Sequence, residues 1–153
     1  MVLFGKNMSN SSGNTIALSA RQASVIYTTF SIPALAAANT TVSGTLYPFG
    51  LTQPSQTSIV VPSTEKWYLA DLYVDSALKV DAQFQMVVNG IPQALVVNMN
   101  STIVTNSARF VLPTPILIMP NQTFSVNFIT YTPNSASTTL TEHCFLAFLR
   151  EPA

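Results

Sequence analysis

Residues 120–131, PNQTFSVNFITY, restrict the fold more than any other stretch, because a turn there opens directly into strict alternation. Phe124, Val126 and Phe128 fall on one side of an extended chain, and Ser125 and Asn127 on the other. That period of two is the pattern of a half-buried β-strand. The same plan recurs from Ser58 onward. Residues 58–61 predict a short apolar strand stopped by Pro62, residues 63–66 a polar turn, and residues 67–75 a strong strand with Tyr68, Ala70, Leu72 and Val74 on one face. Residues 82–89 alternate again, with Phe84, Met86 and Val88 on one side. Asn89-Gly90 is the strongest hairpin signal, since both residues tolerate positive φ, and its partner strand is expected over residues 94–99. Strands follow at 109–112 and 116–119, separated by Pro113-Thr114-Pro115, then the 120s strand, a loop or weak edge strand at 135–139, and a last strand at 143–150.

About eight strands after Ser58 with turns at sandwich-like spacing leave no room for the crossover helices of a parallel sheet. Upstream the signals are weaker: short strands at 15–19, 24–31 and 41–47, and a loop marked by Pro48, Gly50 and Pro54. Neither face of 24–31 is polar, which predicts burial on both sides. Residues 1–14 are small and polar after Phe4 and read as an arm, with Met1, Val2, Leu3 and Phe4 its candidate interface residues. The fold expected is all-β: an antiparallel β-sandwich, a single jelly roll, with an N-terminal arm (1–14) or extra strands and one domain over 15–153. A single cysteine, Cys144, disfavours an antibody-type domain, and the strands lack the lipid-facing band of an outer-membrane barrel.

Charge narrows the function. Only 8% of the 153 residues are charged, against a usual share of roughly 25%. Six basic residues balance six acidic ones, so the chain has no field with which to attract nucleic acid or an anionic membrane. A surface so poor in charge lacks the repulsion that keeps molecules apart and is suited to packing against neighbours, and self-assembly is expected through lateral interfaces of the sandwich and the N-terminal arm. It also accumulates little self-repulsion in acid, which fits a harsh exterior. The N-terminus has no continuous apolar stretch followed by a cleavage site and is not read as a signal peptide. The apolar run at 32–38 contains Pro33 and is far too short to span a bilayer.

No catalytic motif emerges, and an enzyme, a cofactor and a catalytic metal are not expected. His143 and Cys144 are adjacent, but neighbours on a strand point to opposite faces and form no dyad. Asp75 and Asp81 are the carboxylates placed to share a Ca²⁺ ion with loop carbonyls; turn capping and pairing with Lys79 is the preferred account. Trp67, Tyr68 and Tyr73 are the residues that would line a glycan site, although aromatics alternating along a strand more often build core. Sequons at Asn7, Asn10, Asn39, Asn100 and Asn121 arise easily by chance in a chain this rich in Asn, Ser and Thr.

The segments STEKWYLADLYVD, FQMVVNG, the proline-bounded strand 113–120, PNQTFSVNFITY and CFLAFLRE together resemble the single-jelly-roll capsid proteins of icosahedral DNA viruses, in particular those of archaeal and thermophilic hosts. The resemblance implies two four-stranded sheets face to face, no active site, and a virion subunit assembled in the host cytoplasm from copies of itself and other capsid proteins, with a membrane layer as a further neighbour. The first 57 residues depart from its simplest version, as added strands or an intersubunit arm. The alternative function is a receptor- or glycan-binding spike or adhesin module.

Overall fold

The structure, a computed structural model, describes residues 21–153. Its regular elements are ten strands: β1 (Gln22–Ile32), β2 (Thr41–Ser43), β3 (Thr45–Tyr47), β4 (Ile59–Val60), β5 (Glu65–Val74), β6 (Ala82–Val88), β7 (Ile91–Met99), β8 (Ala108–Ile118), β9 (Thr123–Thr130) and β10 (Leu140–Pro152). One sheet runs β3-β1-β10-β5-β8. The other runs β2-β9-β6-β7, with β4 also pairing with β9. Every pairing is antiparallel.

Only the step from β6 to β7 stays within a sheet; every other connection between successive strands crosses to the opposite one. With β2 and β4 taken as two pieces of one edge strand, β1-β10-β5-β8 faces β2/β4-β9-β6-β7, the order of a single jelly roll. β3 is the extra strand. The described part of the first 57 residues is therefore no mere appendage, since β1 lies inside its sheet, between β3 and β10.

Between the sheets the inward residues interlock. Phe30 stacks on Phe128 with centroids 4.9 Å apart and meets Phe84 edge-on, while Trp67, Phe124 and Phe148 form a second cluster with separations of 5.3 to 5.9 Å. Phe124, Val126 and Phe128 are fully buried, as their alternation predicts, and so are Phe84 and Met86. Asn89 and Gly90 have φ of 49° and 79°, which makes the β6–β7 connection a two-residue turn of the type expected for Asn-Gly. Its partner strand starts at once, at Ile91 rather than at Ala94.

Four expectations need correction. Residues 24–31 are not buried on both faces: in β1 Ile26, Thr28 and Phe30 point into the core while Val25, on the opposite face, is 57% exposed, because this sheet packs on the other through one face. In β5 the buried apolar residues are Trp67, Leu69, Leu72 and Val74, not the set Tyr68, Ala70, Leu72 and Val74. The register with both neighbours slips at Ala70, so this bulge changes the phase of the alternation halfway along the strand. Residues 109–112 and 116–119 are not separate strands but one, β8. It lies at the sheet edge, where the N–H groups that Pro113 and Pro115 lack are not needed, and its pairing jumps from Val111 to Ile116. Residues 41–47 are two strands, because the chain changes sheet at Gly44.

At that crossing the Gly44 N–H donates to the Val126 carbonyl at 2.8 Å. A Cβ on Gly44 would lie 2.5 Å from Val126 Cγ2 and 2.8 Å from Phe30 Cε1, both in the tightly filled interior. Gly44→Ala is expected to destabilise the fold by about 1–3 kcal/mol, the usual cost of overpacking. Urea unfolding followed by circular dichroism measures it.

Candidate assembly interface

The outer face of the β3-β1-β10-β5-β8 sheet follows from its register. Because side chains alternate, residues paired across strands form rows on that face. One row runs Tyr47, Tyr27, Phe145, Tyr73 and Arg109. The next runs Val25, Ala147, Asp71 and Val111, and a third runs Ala23, Leu149, Tyr68 and Leu117. Of these eleven apolar or aromatic and two charged residues, Val25 is 57% exposed and Val111 62%. Small side chains at Ala23, Ala70 and Ala147 leave two shallow grooves of about 320 and 400 Å³ between the larger ones. Charge enters the face through one pair, in which Arg109 Nη2 donates to Asp71 Oδ2 at 2.6 Å while its guanidinium lies over the Tyr73 ring at 5.6 Å, and a second group, Glu151 with Arg21 and Lys66, borders the Leu149–Tyr68 end. Four strands at about 4.8 Å spacing and five residues at about 3.4 Å make a patch on the order of 300 Å² in projection. That is the size of the largest apolar patch on a typical monomer, and such patches are often functional.

Trp67 turns the other way, into the core, and its polar edge is used internally. Trp67 Nε1 donates to Glu65 Oε2 at 2.7 Å, and Arg150 grips the same carboxylate with two hydrogen bonds of 2.8 and 2.9 Å while lying 5.2 Å over the indole. Burial alone would raise the Glu65 pKa, but the hydrogen bonds from Arg150 and Trp67 and the guanidinium charge outweigh it, so the carboxyl titrates below its ordinary value. Tyr68 and Tyr73 stand on the outer rows. The three aromatics proposed for a glycan site are thus divided between two faces of one sheet.

Asp81 caps a loop: Oδ1 accepts from both the backbone N–H and the hydroxyl of Ser101 at 2.7 Å, and these bonds hold its pKa down. Asp75 is exposed, and Lys79 Nζ donates to the Thr141 carbonyl. Among the described residues no group of three or more His, Cys, Asp or Glu side chains is gathered as metal ligands. Cys144 is buried, and burial, with Glu142 and Asp75 nearby, pushes its thiol up to about 12; His143 points outward and bonds the Tyr27 hydroxyl through Nδ1. Met1, Val2, Leu3 and Phe4 lie outside the described residues.

Two polar features escaped sequence reasoning. Asn134 is buried and ties two loops together, donating to the Pro33 and Thr138 carbonyls and accepting from the Ala136 N–H; its place in a TPNS turn was the only clue. Glu142 is fully buried on β10, where Oε1 accepts from the Lys79 N–H at 2.7 Å and Oε2 has no partner among the described residues. Desolvation raises its pKa, against the opposing pull of the Lys79 and Val80 amides and the Lys79 charge. An acidic residue at an inward position of an apolar strand was the available signal.

No protein-family model matches the chain, and no curated protein matches it in sequence. Among solved structures it is similar to infectious bursal disease virus, Gx strain, with 10% identity and a TM-score of 0.42 over 97% of this chain and 37% of that one. It is also similar to a family 35 carbohydrate binding module from an environmental isolate, with 13% identity and a TM-score of 0.38 over 98% of this chain and 88% of that one. A third similarity is to the virus-like particle of the giant freshwater prawn Macrobrachium rosenbergii extra small virus, with 12% identity and a TM-score of 0.34 over 88% and 82%. This chain spans little more than a third of the bursal disease virus chain.

The two buried carboxylates are expected to answer pH in opposite senses. Glu65→Ala strands Arg150 and costs about 3 kcal/mol at pH 7, the low end for breaking a buried pair because the guanidinium keeps some solvent contact. Since the folded pKa of Glu65 is lowered, its contribution holds above the ordinary carboxyl pKa of about 4.3 and vanishes in stronger acid, so variant and parent should converge there. Glu142→Gln is expected to stabilise at neutral pH by roughly 1–3 kcal/mol, the cost of an unpartnered buried charged oxygen. Its folded pKa is raised, so the advantage should shrink as pH falls through the folded value and be gone below about 4.3. Urea titrations of both variants at stepped pH measure these limbs.

Proposed function

We propose that this chain is a structural virion protein, a capsid subunit that assembles through the outer face of the β3-β1-β10-β5-β8 sheet. The observation that carries the reading is the trio of rows on that face. Apolar and aromatic residues fill nearly all of it, in a molecule whose six acidic and six basic residues leave it electrically neutral. Closing such a face against another copy removes apolar area from water at about 25 cal/mol per Å², without desolvating many charges. A jelly roll suits the role because its strands form a rigid block and all its inter-sheet connections sit at the two ends, leaving the sheet faces for neighbours. The partners in this reading are copies of the chain and companion coat proteins, the site of assembly is the host cytoplasm, and the final location is the virion.

Purified protein should elute as an oligomer or larger particle on size exclusion and show regular assemblies by negative-stain microscopy. Val25→Asp with Leu117→Asp should abolish assembly while changing folding stability by only about 0.5 kcal/mol per site, since both side chains face outward. A parent protein that stays a well-dispersed monomer and binds glycans on an array would overturn the proposal in favour of a binding module.

A further inference from the structure

The buried Glu142 side chain sits against the β5–β6 connection, residues 75–81, which has no regular structure. Both ends of that connection are pinned. The Asp75 N–H donates to the His143 carbonyl at 3.0 Å, while the Asp81 N–H donates to Thr132 Oγ1 at 2.9 Å and Asp81 Oδ1 accepts from Ser101. Its middle is held by three further bonds. The Leu78 N–H donates to the Val104 carbonyl at 3.0 Å, the Lys79 N–H to Glu142 Oε1 at 2.7 Å, and Lys79 Nζ to the Thr141 carbonyl at 2.6 Å. Leu78 and Val80 turn into the core. A carboxylate with no exposed surface therefore supports the middle of the connection through one oxygen.

The groups around it leave Glu142 as the one whose charge can change there. β1 opposes it with Phe30, and β1, β6 and β9 carry no charged residue; Tyr27 of β1 faces outward, where it bonds His143. Residues 100–107 hold no titratable side chain, and Tyr131 bonds Asn98. Cys144, two residues along the same face of β10, has its thiol pushed up to about 12 and stays neutral. On the connection itself Asp75 is exposed, the bonds from Ser101 hold the Asp81 pKa down, and Lys79 carries its charge out to Thr141. An ionised carboxylate without water is costly to keep in such a place, and either a proton or access to solvent relieves it.

We infer that Glu142 makes the β5–β6 connection a proton-operated latch: with the carboxyl neutral, residues 76–80 stay closed on β10, and with it ionised they lift locally and let the carboxylate meet water while both sheets stay intact. Irregular segments between fixed ends open in this way without global unfolding. Burial raises the Glu142 pKa in the closed form, and opening returns it toward the ordinary carboxyl value of about 4.3. Closure is therefore strongest below that value, weakens by up to about ten-fold per pH unit as pH rises, and levels off above the folded value. The end of the sandwich where residues 75–81 meet Val104 and Thr132 is thus looser at neutral pH than in acid. The latch operates whether or not the outer face joins copies.

Amide hydrogen exchange of the full chain, read at pH steps from about 4 to 8 and corrected for the intrinsic pH dependence of exchange, tests it. Leu78 is the reporter, because its N–H bonds Val104 and not the carboxylate. Its protection should fall at least about five-fold in total as pH rises, while Phe30 and Leu146 in the β1–β10 ladder keep theirs. Glu142→Gln keeps an acceptor for the Lys79 N–H but cannot ionise, and should hold Leu78 at the parent's acid level at every pH. His143→Gln should leave the parent's profile unchanged. Flat Leu78 protection in the parent, a profile that survives Glu142→Gln, or one that vanishes with His143→Gln would each overturn the latch. The first of these readings is made on the parent chain and holds even where a variant fails to fold.

Discussion

The pairing of β1 with β10 holds the rest of the molecule in place. Eleven consecutive residues of each strand oppose one another, from Gln22 with Arg150 to Ile32 with Leu140, and join the two ends of the described chain. That register sends Thr28, Phe30 and Ile32 inward against the second sheet, and it places Val25 and Tyr27 outward beside Ala147 and Phe145. A slip by one residue would exchange the two sets, putting the aromatic core in water and the outer rows inside. Because the strands lie more than 100 residues apart in sequence, the pairing closes a long loop and carries the entropy cost of doing so.

Polar groups at the ends of the sandwich lock that register. Glu65 joins β5 to Arg150 near the end of β10, and Glu142 holds the β5–β6 connection to the start of the same strand. The first is fully satisfied and the second is not, which is why their carboxyl groups shift in opposite directions although both lie within the fold. Gly44 performs a steric version of the same task, letting the chain pass between sheets where any side chain would collide with Val126 and Phe30.

Much of the fold was legible because a strand with one buried face must alternate. The β9 alternation, the Asn89-Gly90 turn and the opposed faces of His143 and Cys144 all follow from local rules and hold in the structure. The reading failed where a distant partner altered the local pattern. The bulge at Ala70 shifts the phase of β5, and Pro113 and Pro115 are tolerated in β8 because that strand lies at an edge. The apolar outer face was legible only as a lack of charge. Its residues are scattered over β1, β5, β8 and β10, and nothing in any one strand shows that Val25, Ala147, Asp71 and Val111 stand in line.

The sequence by itself determined that the chain is all-β, that its strands carry one strongly apolar face, and that its surface holds little charge, since alternation, turn chemistry and composition are local or additive properties. Tertiary structure alone decided which strands are neighbours, where β1 meets β10, and which apolar residues were left outside. Those depend on pairing between segments far apart in the chain, where many partners satisfy the same hydrogen bonds and the choice is made by packing of the whole interior at once.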